Sequence, residues 1–234
     1  MGYGSYVLPI MNYAAAVWGF DDYPAPQVLQ NKVSRFYLGT HRYAPLPAIH
    51  NEMDLLPIKM ERWVDMLRYF NRVRNLKTHG WPRIVVQWEL DQGCPGRLGD
   101  IRRIAHRTDL PPPLLHDCTF DLEFVCNEFQ QLARAKWKDD ANLKPKLRIY
   151  ECISSFDRST AIAKANLSGF QRSLLTKFVS GILPLEIESG RYWNLKIEER
   201  ICKVCDSRKV EDEMPHIFQC EKLESVRGEV MNVT

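Results

Sequence analysis

Apolar residues recur at three- and four-residue steps along most of this chain, the periodicity of helices that bury one face. Leu56, Met60, Trp63, Leu67, Phe70 and Val73 keep that step, while Arg62, Asp65, Arg68, Arg72 and Arg74 fall mostly between them. The pattern predicts an amphipathic helix from about Pro57 to Lys77. Upstream, "APQVLQNKVSRFYLG" sets Val28, Leu29, Val33, Phe36 and Tyr37 on one side, starts behind Pro24 and Pro26 and stops at Gly39, the proline-first, glycine-last order of a helix. Leu122, Val125, Phe129, Leu132 and Trp137 predict a third helix, and Ile162, Leu167, Phe170, Leu174 and Phe178 a fourth. The run "YVLPIMNYAAAVWGF" reads as a buried helix: Pro9 and Asn12 interrupt it, and it falls short of the ~20 apolar residues that cross a bilayer. Strand signal is confined to "PRIVVQWEL", residues 82–90, and "GCPGRLGDIRRIAHRTDLPPPLLHD", with glycine and proline at its ends, reads as a linker. The expected fold class is therefore mainly α, with a small C-terminal metal knob.

Composition refines this picture in two places. A chain of 234 residues with 45% hydrophobic residues has enough apolar material for a core of its own, and a net charge of +3 does not by itself announce a polyanion partner. Seven cysteines, Cys94, Cys118, Cys126, Cys152, Cys202, Cys205 and Cys220, form an odd set without framework spacing. Disulfide stapling is not expected, and a reducing intracellular setting, nuclear or cytoplasmic, is. No membrane partner is expected.

The stretch "CKVCDSRKVEDEMPHIFQC", residues 202–220, carries the clearest chemistry. Cys202 and Cys205, two residues apart, can turn both sulfurs toward one ion, and His216 and Cys220 share a helix face one turn apart if "HIFQC" is helical. Three thiolates and one imidazole would close a tetrahedron around one structural Zn²⁺, leaving no open position for a substrate water. Lys203, Arg208 and Lys209 stand near enough in sequence to soften the negative charge of such a centre. The same residues also admit a surface Cys-x2-Cys with a coincidental histidine, or a redox pair, although the latter wants a strand-to-helix context.

The residues around this stretch carry a resemblance. "RSLLTKFVSGILPLEIESGRYWNLKIEERICKVCDSRKVEDEMPHIFQCEKLESVR" resembles the C-terminal end of non-LTR retrotransposon reverse transcriptases, through "GILPL" at 181–185, "VEDE" at 210–213 and the four ligands. "VLPIMNYAAAVWG", "VLQNKVSRFYLGT" and "AIHNEMDLLPIKMERWVDMLRYFNRV" resemble the same family in the same order. The resemblance implies a helical thumb-like region over residues 1–80, a basic Gly/Pro-rich linker over 81–120, a helical connector over 121–200 and a CCHC zinc knuckle over 201–234. Two departures stand out. The family's finger commonly has four residues between histidine and the last cysteine, where this chain has three, with Pro215 directly before His216. The family's aromatic-x-Asp-Asp turn, which holds two Mg²⁺ ions, is matched neither by Asp21-Asp22 nor by Asp139-Asp140. The chain is thus expected to lack polymerase activity and not to be an enzyme.

Charge is distributed unevenly. Residues 62–107 hold ten basic side chains against four acidic, whereas residues 201–234 hold five against seven. Contact with RNA or single-stranded DNA is therefore expected at Arg68, Arg72, Arg74, Arg102, Arg103 and Arg107, and not at the finger. Solvated helix faces would give the same count. Trp63, Tyr69, Phe70, Trp81 and Trp88 offer rings on which bases could stack, with Trp63 and Phe70 better suited to the core. His41, His50, His79, His106 and His116 have no partner carboxylate or serine in a recognisable order, and no phosphate loop or small-molecule substrate site is evident. The alternative to a nucleic-acid binder is a zinc-stabilised interaction or structural domain, including a decayed gene product without selected function.

Overall fold

The computed structural model describes residues 7–76, 80–92, 97–107, 119–154, 156, 162–205 and 207–231. For Val17, Leu90, Arg97, Leu98, Ala105, Arg107, Val230 and Met231 it describes the backbone alone. Lys77, His79, Cys94, His116 and Cys118 lie outside the described residues. The fold is mainly helical: α1 (Leu8–Met11), α2 (Ala15–Trp18), α3 (Pro24–Tyr37), α4 (Leu46–Met53), α5 (Ile58–Arg74), α6 (Trp81–Gln92), α7 (Arg97–Arg107), α8 (Leu122–Asn142), α9 (Arg148–Ile153), α10 (Gly169–Val179), α11 (Glu186–Tyr192), α12 (Glu213–Gln219) and α13 (Glu224–Met231). The β pairing among the described residues is a single antiparallel bridge, Ile201 to Val210. The chain divides into two units, one of residues 1–33 and 54–136, the other of residues 34–53 and 137–234.

The first unit is built on α5. Of its predicted stripe Trp63, Leu67, Phe70 and Val73 are buried and Leu56 and Met60 half-buried; with Met66 the buried residues meet Val86 of α6, Ile101 and Ile104 of α7, and Val125 and Phe129 of α8. Phe20 stacks on Trp63 with ring centres 6.2 Å apart, and Phe129 meets the same indole edge-on at 6.0 Å. Neighbouring chain is fixed by side chains that take the place of backbone partners. Asn71 Nδ2 donates to Phe120 O (2.7 Å) and Phe120 N donates to Asn71 Oδ1 (2.9 Å), while Asp121 Oδ1 accepts Glu123 N and Phe124 N at the start of α8. Gln27 Oε1 likewise accepts Ile58 N, one of the orphan donors opening α5.

Several expectations are corrected here. Residues 82–90 are helix and not strand: α6 packs against α5 and α7 and buries Val86, and among the described residues the β pairing is confined to Ile201 and Val210. The stretch expected to be a linker holds α7, whose Ile101 and Ile104 are buried. The N-terminal run forms two short helices with Ile10 and Tyr13 about four-fifths exposed (78% and 80%), so it is not a buried helix. Helix α3 has the expected bounds but another face: Val28, Leu29 and Phe36 are exposed, and Gln30 is buried because its Nε2 donates to Leu56 O at 2.9 Å. Arg62 is buried, its guanidinium 4.6 Å from the Trp18 ring centre and donating to Asn12 Oδ1 (3.3 Å), so it braces the core and meets no solvent.

In the second unit a polar network replaces part of the core. Glu52, fully buried on α4, accepts Tyr150 O–H at 2.8 Å through one oxygen and Ile162 N–H at 3.2 Å through the other. Burial, against both hydrogen bonds, raises the Glu52 carboxyl above its ordinary value. Helix α10 starts at a Ser168–Gln171 capping box, and its predicted apolar residues Phe170 and Leu174 are exposed while Thr176 and Val179 are buried. After it comes "GILPL". Gly181 takes φ +62°, and a Cβ there would lie 2.0 Å from Lys146 O, so only glycine passes this point.

Candidate metal centre

Residues 200–205 and 207–220 bring the candidate donors together through local backbone contacts. The first cysteine pair sits in a hairpin-like loop closed by the Ile201–Val210 bridge, Cys202 N donating to Lys209 O (2.9 Å) and Glu211 N to Arg200 O (2.8 Å). Asp212 then caps α12, its Oδ1 accepting Met214 N at 3.0 Å. Pro215 falls in the first turn of that helix, where a missing N–H costs nothing. The three-residue gap therefore places His216 on the last stretch of α12 and Cys220 at its C-cap. Arg227 of α13 holds the carbonyls of Ile217 and Cys220 at 3.1 and 2.8 Å.

Cys202, His216 and Cys220 bring their ligand atoms within 4.8 Å of one another and can hold a metal ion. Cys205 lines the same small cavity, of about 10 Å³, together with Cys202, His216, Cys220, Glu211 and Ser207. A void of that size takes one ion or one water and nothing larger. The three sulfurs are buried, at 9%, 7% and 3% exposure for Cys202, Cys205 and Cys220. Their thiols differ: Ser207, through its hydroxyl and its backbone N–H, lowers Cys205 to about 7, while burial pushes Cys202 up to about 11. A thiolate at Cys205 near neutral pH is the form that ligates metals.

One acid that sequence reasoning did not assign faces this cluster. Glu211, buried to 5% exposure, has Oε1 2.9 Å from His216 Nδ1 and 3.5 Å from Cys202 Sγ, and its Oε2 accepts Glu186 N at 2.9 Å. The Nδ1 contact lacks the alignment of an N–H···O bond, so that buried ring nitrogen has no hydrogen-bond partner. A buried imidazole nitrogen of this kind beside three sulfurs fits a metal-ligating role. The signal available in sequence was the position of Glu211 between the two ligand pairs. Of the cations expected near the centre, Lys203 pairs with Glu186 at 2.8 Å and Lys209 reaches Gln219 at 3.2 Å.

The arginines expected to meet nucleic acid are spread over two packed helices, α5 and α7. Arg72 is exposed, Arg68 is exposed but pairs with Asp65, and Arg74 reaches Gln87. On α7, Arg102 is half-buried, Arg103 pairs with Asp100 and lies over the Phe20 ring at 4.2 Å, and the Arg107 side chain lies outside the described residues. Helix α6 packs against both and exposes Trp81 and Trp88 (79% and 56%). Among the described residues no helix is long and apolar enough to cross a membrane. Comparison with protein-family models, curated proteins and solved structures finds no match to this chain.

Proposed function

We propose that this chain is a non-catalytic nucleic-acid-binding protein derived from the C-terminal part of a non-LTR retrotransposon reverse transcriptase, with one structural Zn²⁺ held by Cys202, Cys205, His216 and Cys220. The observation that carries the binding role is the exposure of Trp81 and Trp88 on a helix packed between the arginine-bearing α5 and α7. Rings that stack on bases beside cations that meet phosphates are the usual means of gripping a single strand. Zinc follows from the donor set: thiolates and an imidazole suit it, whereas hard cations want oxygen. In this reading the metal braces the chain and performs no reaction.

The test is fluorescence anisotropy of labelled single-stranded RNA and DNA with the zinc-loaded protein. Affinity is expected to fall steeply with salt, and Arg72→Glu with Arg102→Glu to weaken binding about tenfold or more. A folded, zinc-loaded protein that binds neither strand at low ionic strength contradicts the role. The second reading, a zinc-stabilised structural or interaction domain, is favoured by one observation: Arg68 and Arg103 already engage Asp65 and Asp100.

A further inference from the structure

The second unit contains a groove that neither the metal centre nor the arginines of α5 and α7 account for. It has a volume of about 350 Å³ and is lined by Arg35, Tyr43, Leu46, Lys144, Lys146 and Arg191 among others, with no carboxylate among the described residues of its lining. A cavity of about 280 Å³ shares Pro145, Lys146 and Arg191 with it. Four cations thus converge on a concave site of the size that small ligands occupy.

Their charge is only partly answered. Glu188 serves both Lys146 and Arg191, the latter at 3.4 Å, so one carboxylate faces two cations. Arg35 donates Nη2 to Ala44 O at 2.9 Å, and its Nε is buried without a hydrogen-bond partner. Lys144 is exposed. His41 senses the same surroundings: its imidazole is held below the ordinary value by burial first and then by Lys146, Lys177 and Arg35, with Glu188 pulling the other way. An anion with several oxygens answers this charge, because a phosphate can accept from guanidinium and ammonium donors together.

We propose that this groove binds the phosphate group of an organic phosphate, with Lys144 and Lys146 as its donors and Arg35 and Arg191 flanking them. The volume leaves room for the carbon skeleton attached to the phosphate. The site stands apart from the nucleic-acid reading, since Arg68, Arg72, Arg74, Arg102 and Arg103 belong to the first unit.

The experiment titrates the full zinc-loaded chain with inorganic phosphate, glycerol 3-phosphate and a thymidine oligonucleotide at constant ionic strength, followed by two-dimensional amide spectra. Shifts are expected at residues 35, 43, 44, 46, 143, 144, 146 and 191. Lys144→Glu is expected to weaken binding about tenfold or more and Lys144→Arg to retain it. A response to glycerol 3-phosphate assigns a small phosphate, and one to the oligonucleotide alone assigns a strand backbone; either upholds the groove if Lys144→Glu weakens it as expected. Chloride producing the same shifts, shifts elsewhere, or unchanged affinity in a folded Lys144→Glu protein overturns it. Oligonucleotide binding lost in Arg72→Glu but intact in Lys144→Glu overturns the groove and leaves the arginines of α5 and α7 as the binding surface.

Discussion

The core around α5 and the segment around Cys202 solve the same problem with different materials. In the first, Trp63, Leu67, Phe70 and Phe129 are buried together and the apolar stripe of one helix finds three others. In the second, Ile201, Val204, Met214 and Phe218 are exposed, and what lies inside is Cys202, Cys205 and Cys220 with Leu223 against them. A segment that keeps its apolar side chains outside and its cysteines inside has a cluster of candidate metal donors in place of a hydrophobic core. The comparison teaches where each region is vulnerable: one to lost volume, the other to lost donors.

The largest effect expected is on the metal. Structural zinc in small modules is worth about 10–16 kcal/mol of apparent binding energy, so chelation is expected to abolish amide-exchange protection over residues 201–223 while α5 keeps its own. Protection of that segment unchanged by chelation would erase the contrast. Next, Phe129→Ala removes a fully buried ring from the other core and is expected to cost about 3–5 kcal/mol in denaturant unfolding. Its metal affinity should not change.

A pH effect separates the regions further. Glu61 is raised to about 7, by burial first and then by Asp65, and its Oε2 is buried without a hydrogen-bond partner. Its folded pKa exceeds the unfolded one, so the stability it contributes is complete in acid and is lost as pH rises toward about 7. The loss is expected to reach about 3 kcal/mol between roughly pH 4 and 7. Glu61→Gln should flatten that slope in urea titrations of α5; an identical slope in wild type and variant speaks against it. The smallest effect is at Asp212. Removing its cap on α12 with Asp212→Ala is expected to cost about 1 kcal/mol, read as easier metal release in a chelator competition.

How much of this was legible in sequence depends on what each feature needs. Helix α5 could be read because its stripe is long and uninterrupted. Helix α6 was mistaken for a strand because Ile84, Val85 and Val86 form a β-branched and aliphatic run, and only the partners α5 and α7 decide for helix. Helix α3 had legible ends but not a legible face, and α10 starts only at Gly169, past the predicted Ile162 and Leu167; Gln30 and Thr176 are buried through hydrogen bonds to Leu56 O and Arg172 O that no hydropathy pattern carries. At the candidate metal centre the grouping of Cys202, His216 and Cys220 was legible because these residues are local. Glu211 was missed because its contact with His216 depends on the turn between them. The groove was invisible because Arg35, Lys144 and Arg191 are far apart in the chain and meet only in the folded unit.

The most direct test of the central claim is Co²⁺ titration of the metal-free chain, read by d–d and sulfur-to-cobalt absorption, with Cys205→Ser beside wild type. The account predicts one equivalent bound with a tetrahedral, three-thiolate spectrum, and in Cys205→Ser a weaker site with reduced sulfur-to-cobalt intensity. No binding, or a spectrum that Cys205→Ser leaves unchanged, would contradict it.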